Sequence, residues 1–255
     1  MNLKQKYAQL CLNDIGVKTD VIDGTLFEVQ GDQKFQVLPI EDLARSWAIG
    51  MQNRPLNVLI ACERSHTFRK AFEDIGHHAV SVDILSDEEG SDYHYCGDAI
   101  TFVLDNEGKN PNTGDYFDLM IATPPSDYID GSETRWFNMN KKRQADALGF
   151  IYELLSLPIP HKCLLLPSTI INTQNIIQPS QIINPKTFQD NFGKQVYMYT
   201  ENLPELSLPK PKQINSLISK YKTFKNRKNK SLNNLAIEMA AQFTDYLENS
   251  ILSIV

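Results

Sequence analysis

Asp118-Leu119-Met120-Ile121-Ala122-Thr123-Pro124-Pro125-Ser126-Asp127-Tyr128 is the stretch whose reading decides the fold. A short apolar run that stops at two prolines predicts a buried parallel strand ending in a rigid turn. Pro125 drives its predecessor out of the helical region, and neither proline can donate to a ladder. In open α/β sheets ligands sit beyond the carboxyl ends of the strands, so chemistry is expected in the turn after Ile121. The plain alternative is a strand that ends in a proline-rich loop.

Upstream of this stretch the pattern is βα repeated. Val58-Leu59-Ile60-Ala61-Cys62 is a continuous apolar run, as in a parallel strand buried on both faces. Phe68 to Ile75 predicts a helix stopped by Gly76, and Ala79 to Ile84 a second strand. Asp83 closes that strand, where nucleotide-binding α/β folds place the carboxylate that accepts from ribose hydroxyls; a loop-capping acid is the other reading. Asp98, after Gly97, either accepts from an adenine amino group or caps the helix Ala99 to Leu104. His94 and Cys96 lack a second ligand pair, so no metal is expected.

Downstream, Asn140 to Leu157 predicts a long helix and Lys162 to Leu166 a strand, followed by a polar region to about Phe192 and a strand at Lys194 to Tyr199. Ser231 is placed to cap a terminal amphipathic helix with Leu235, Met239 and Phe243 inward. Residues 1–54 read as a small α-β-β-α unit. It has helices over Lys4 to Ile15 and Glu41 to Met51, and alternating runs flanking Gly31-Asp32 as a hairpin. Arg54-Pro55 marks the hinge into a main domain of residues 55–255.

With 255 residues and 42% hydrophobic content the chain can build one sizeable core with an appendage. Its four scattered cysteines form no C-x-x-C pair, which fits buried small hydrophobes in a reducing cytoplasm. No apolar run reaches the ~18 residues that span a bilayer, so no membrane partner is expected. The net charge of −6 hides an asymmetry: Lys186 to Lys230 carries ten basic residues against three acids, leaving about −13 elsewhere. Within it Lys220, Lys222, Lys225, Arg227, Lys228 and Lys230 have two aromatics and no acid among them, a pattern that suits a polyanion.

The order of these pieces resembles the phage- and prophage-associated S-adenosylmethionine-dependent DNA methyltransferase-like proteins, relatives of the cytosine-C5 methyltransferases. The resemblance is carried by Val58 to Glu63 with Arg69 and Phe72, Gly76-His77, Asp83, Gly97-Asp98, Asp118 to Ala122 and Pro124-Pro125. It continues through Arg135-Trp136, Pro158-Ile159-Pro160, Ile176-Ile177-Gln178-Pro179, Leu203-Pro204 and the helix with Ala236, Met239, Ala240 and Gln242. It implies a Rossmann-like class I methyltransferase sheet with helices on both faces, a cytoplasmic setting, and S-adenosylmethionine held by Ala61, Cys62, Glu63, Ser65, Asp83 and Asp98.

The departures bear on the chemistry. Ser126 stands where that family has its nucleophilic cysteine, Leu165-Leu166-Pro167 replaces Glu-Asn-Pro, and Ser65-His66 replaces Ser-Gly. A serine hydroxyl is a far weaker nucleophile than a thiolate, so the cysteine route to C5 is not expected. One reading is methylation of an exocyclic base amino group, with Thr123, Pro124, Pro125 and Ser126 as the catalytic turn, Tyr128 stacking the base, and Arg135 and Trp136 near it. A second is a catalytically inactive module of the same fold that binds nucleic acid or a host defence protein; a third is another nucleotide-using enzyme. Nucleic acid, DNA in particular, is the expected partner of the first and a candidate ligand of the second.

Overall fold

A computed structural model describes residues 18–22, 25–30, 33–36, 54–88, 90–130, 141–167, 169, 171, 177–207 and 232–250. The expected helices over 4–15 and 41–51, the turn residues 31 and 32, and Ser231 lie outside these residues. The chain falls into two compact units, one of residues 1–54 with 247–255 and one of residues 55–246. In the first, β1 (Thr19–Ile22), β2 (Thr25–Gln30) and β3 (Gln33–Gln36) form an antiparallel sheet in that order. Its registers run from Thr19↔Glu28 to Ile22↔Thr25 and from Phe27↔Gln36 to Gln30↔Gln33, so a third strand joins the expected hairpin.

The second unit is built on β4 (Asn57–Ala61), β5 (His78–Asp83), β6 (His94–Cys96), β7 (Leu119–Ala122), β8 (His161–Leu166), β9 (Gln181–Ile183) and β10 (Val196–Glu201). They form one sheet in the order β6-β5-β4-β7-β8-β10-β9. The first five are mutually parallel, and β10 runs antiparallel to both β8 and β9. In an all-parallel dinucleotide sheet the sixth strand lies beside the fifth. Here a reversed strand is inserted between them, which is the Rossmann-like class I methyltransferase arrangement. The order reverses between β4 and β7, so the crevice at their carboxyl ends is the topological switch point.

Each strand buries because of what it is made of. Every residue of β4 and β7 is buried, which is why both read as unbroken apolar runs rather than alternating ones. On one face Leu59, Ala61, Val80, Val82, Met120, Ala122, Leu164 and Leu166 pack with Ala99 and Val103 of α2 (Ala99–Asp105) and Ile151 and Leu154 of α3 (Lys141–Ser156). α1 (Thr67–Glu73) packs against β4 and β5 through Phe68, Ala71 and Phe72, which lie outside that cluster. Leu235, Met239 and Phe243 of α4 (Asn233–Ser250), four residues apart, form a fully buried stripe. At the opposite end of the sheet from the crevice, Asp118 Oδ2 accepts from the Asn57 amide at 2.8 Å and satisfies the first donor of β4.

Asp190 caps α4 from far along the chain: Oδ1 accepts from the Asn234 amide and Oδ2 from the Leu235 amide, each at 2.9 Å. His77 fastens the same helix. The Leu56 amide donates to its Nδ1 at 3.2 Å, so Nε2 carries the proton and donates to Thr244 Oγ1 at 2.7 Å. Burial pulls the His77 imidazole down from 6.5 to about 4. A base depressed in the folded state contributes stability that is complete above its unfolded value near 6.5 and is lost as pH falls through about 4. Thermal unfolding should therefore weaken over that window by at most about 3 kcal/mol. His77→Asn, which keeps an acceptor for Leu56 and cannot charge, should remove this component; an unchanged acid profile would disprove the assignment.

Candidate functional site

A pocket of about 470 Å³ opens at the carboxyl ends of β4, β5, β6 and β7, within the range of small-molecule sites. Cys62, Asp83, Ile84, Leu85, Gly97, Asp98, Thr123, Pro125 and Phe150 are among its lining residues. The loops after four strands and residues of two helices, Ala99 of α2 and Phe150 of α3, thus converge on it.

The β4 loop is held by strain and by cross-links. Cys62 takes φ 60°, in the left-handed region where a non-glycine residue costs on the order of 1 kcal/mol. The surrounding bonds fix it there: its amide donates to Val82 O at 2.7 Å, and the Thr123 hydroxyl donates to its carbonyl at 2.8 Å. Burial, and then the charges of Asp83 and Asp98, push the Cys62 thiol up to about 12, so it is neutral and not a nucleophile at physiological pH. Asp83 and Asp98 both line this pocket with Cys62.

Glu63 turns away from the pocket. It is 4% exposed, and its Oε1 accepts from the Phe68 amide at 2.8 Å and the Ser65 hydroxyl at 3.2 Å, while Oε2 accepts from the Arg69 amide at 3.1 Å. It therefore does for α1 what an N-cap does, because His66 at the cap position has φ 59° and makes no side-chain cap bond. Burial pushes the Glu63 carboxyl up, against the two amides, the Ser65 hydroxyl and the Arg69 charge. His66 pairs with Asp87 and with Arg69, which pairs with Glu73; Arg64 meets Glu88 at 3.7 Å. These contacts tie the acidic loop after β5 to the loop after β4.

The β5 loop supplies an acid and an apolar lip. Asp83 Oδ1 accepts from the Leu85 amide at 2.8 Å, and the Gly97 amide donates to Asp83 O at 2.8 Å. The turn leaves Ile84 74% and Leu85 51% exposed over the pocket. From β6, two residues apart and so on one face, the Cys96 thiol donates to Ile84 O at 3.3 Å and His94 Nε2 to Leu85 O at 3.0 Å, Nδ1 facing the Ser81 hydroxyl at 2.9 Å. The pair that drew attention as a metal motif thus fastens the lip. Among the described residues no group of three or more histidine, cysteine or acidic side chains is placed to hold a metal.

Asp98 lines the pocket and caps α2, its Oδ1 accepting from the Thr101 amide at 2.8 Å, so the two alternatives read from sequence are compatible. Pro124 is buried and Pro125 lines the pocket. Ser126 shapes the turn, its carbonyl accepting from the Ile129 and Asp130 amides at 2.9 and 2.8 Å. Tyr128 follows, 41% exposed, its hydroxyl accepting from Arg143 at 2.6 Å. The structure therefore gathers Cys62, Asp83, Asp98, Thr123 and Pro125 around one pocket, keeps Ala61 fully buried behind it, and places Glu63 and Ser65 at the start of α1. Arg135, Trp136, Lys220, Lys222, Lys225, Arg227, Lys228 and Lys230 lie outside the described residues. Phe150, Ile84 and Leu85 were not picked out beforehand; two apolar residues directly after a strand-ending acid were the available signal.

No protein-family model matches this sequence, and no curated protein matches it. Among solved structures, one described as a DNA modification methyltransferase encoded within a prophage of E. coli aligns with a TM-score of 0.42 and 13% identity, over 61% of this chain and 51% of that one. An S-adenosylmethionine-dependent methyltransferase from Agrobacterium tumefaciens aligns with a TM-score of 0.25 and 15% identity, over 60% of this chain and 53% of that one. The matches span about half the length of either structure.

Proposed function

We propose that the protein is an S-adenosylmethionine-dependent methyltransferase acting on nucleic acid, DNA in the first instance, at an exocyclic base amino group. The observation that carries this reading is the switch-point pocket bounded by two carboxylates, an apolar lip and a Pro-Pro turn. The residues present fit the cofactor. Asp83 stands to accept from ribose hydroxyls, Ile84, Leu85 and Phe150 offer apolar surface for the purine, and Asp98 offers an acceptor for its amino group. The charges of Asp83 and Asp98, which add to burial in raising the Cys62 thiol, also favour a cationic ligand. When bound, S-adenosylmethionine supplies a methyl group on a positively charged sulfur.

Amino methylation needs acceptors that hold the amino hydrogens rather than a thiolate. Thr123 gives its own proton to Cys62 O, which leaves its oxygen lone pairs for that purpose at the pocket wall. Ser126 adds a hydroxyl one residue beyond Pro125. The reading as a binding module without catalysis draws on the same Ser126 and on Leu165-Leu166-Pro167, which bring no carboxylate to a base.

Calorimetry should find one S-adenosylmethionine site per chain, and a tritiated-methyl donor should label unmodified DNA. Label should persist within about tenfold in Ser126→Ala, and fall about 100-fold in Thr123→Val with recovery in Thr123→Ser, as for a lost group worth about 3 kcal/mol at the transition state. No heat at saturating cofactor would exclude the enzyme; heat without transfer to DNA would leave the binding module.

A further inference from the structure

We propose that Lys141, Lys142 and Arg143, with Tyr128 beside them, form the surface that meets the phosphates of an unpaired nucleic-acid strand and leads its target base to the pocket. The destination of that path rests on the methyltransferase reading; the surface stands on separate geometry. All three cations are exposed at the start of the described part of α3. Arg143 donates to the Tyr128 hydroxyl at 2.6 Å, and its guanidinium lies 5.2 Å from the ring centroid. This fixes a cation beside a half-exposed aromatic, three residues beyond Pro125.

α3 connects that surface to the pocket. Arg143 and Phe150 are seven residues apart, so they lie on one stripe two turns apart, about 10.5 Å along the axis. Phe150 lines the pocket. Cations on the exposed end of this stripe and an aromatic-lined pocket on its other end suit a strand whose backbone runs over the helix surface while one base enters the pocket. Lys194 meets Asp130 at 3.3 Å, which adds a fourth exposed cation beyond the Pro-Pro turn. A strand with its base out of the stack is the partner this combination suits, because cations track the backbone while an aromatic ring accepts a base.

The test uses the full chain and a labelled ~20-nucleotide single strand, followed by fluorescence anisotropy between about 50 and 200 mM salt, with the matching duplex in parallel. Neutralising Lys141, Lys142 and Arg143 together with glutamine should weaken single-strand binding at least tenfold and reduce the log–log salt slope by about two. The single reversal Lys142→Glu, checked by circular dichroism, should weaken binding in the same direction. Unchanged affinity and slope in both would overturn the proposal, as would equal competition by inorganic polyphosphate, which would make the patch a general polyanion site. Tighter binding of the duplex than of the single strand would overturn it too. Calorimetry with S-adenosylmethionine on the same proteins tests the pocket separately: equal heat in wild type and variants is expected, and no heat in wild type would remove the methyltransferase reading while leaving the strand result standing.

Discussion

Asp83→Ala is expected to lower S-adenosylmethionine affinity by about 10- to 100-fold, the loss that follows removal of a charged acceptor worth ~1.5–3 kcal/mol. Asp83 is placed for this at the carboxyl end of β5, where its Oδ1 is spent on the Leu85 amide and the rest of the carboxylate borders the pocket. Asp83→Asn keeps an acceptor for Leu85 and so preserves the turn that presents Ile84 and Leu85, while losing the charge. Its affinity should fall between those of wild type and the alanine variant. Calorimetry on the three proteins decides it: equal affinity in Asp83→Ala and wild type would remove the carboxylate from the ligand site. Folding should barely respond, since Asp83 is half-exposed.

Glu63→Ala should lower stability by about 3–5 kcal/mol, a larger effect than any replacement on the pocket rim. The Phe68 and Arg69 amides lose their acceptor at a buried position, and the buried Arg69 guanidinium keeps Glu73 but loses the second nearby carboxylate. Urea unfolding followed by circular dichroism measures it, and a change under about 1 kcal/mol would show that Glu63 does not hold the start of α1. The pH dependence has a definite sign. Burial raises the folded carboxyl above 4.5, so its contribution is greatest below the unfolded value and declines as pH rises through the folded one. Glu63→Gln removes that decline, so its deficit against wild type should shrink as pH rises above 4.5.

The apolar runs at Val58, Ala79, Leu119 and Lys162 were legible as strands because burial on both faces demands unbroken hydrophobic sequence. β6 and β9 were not. Each is only three residues long, too short for a periodic pattern, and what makes them strands is the neighbour each pairs with: Ser81↔His94 to Asp83↔Cys96 for β6, and Val196↔Ile183 to Met198↔Gln181 for β9. Asp190 shows the same limit for helix ends. A capping signal is sought within a few residues of the helix start, whereas this carboxylate reaches Asn234 across 44 residues of sequence.

The candidate site divides along the same line. Asp83, Asp98, Thr123 and Pro125 were found from sequence because each is set by a local rule, an acid or a proline at a strand end, and a strand end is visible in one dimension. Glu63 obeys the same rule, yet its direction depends on whether α1 has another cap, and His66 supplies none. Tyr128 was singled out for its ring, but Arg143 enters only through the packing of α3 beside the turn. The sequence alone therefore determined the open α/β sheet and the rigid turn after Ile121, since continuous burial and proline geometry are properties of neighbouring residues. Tertiary structure alone decided that Asp83 and Asp98 face one pocket, that Glu63 does not line it, and that Arg143 meets Tyr128, since these depend on which strand ends and helices meet in space.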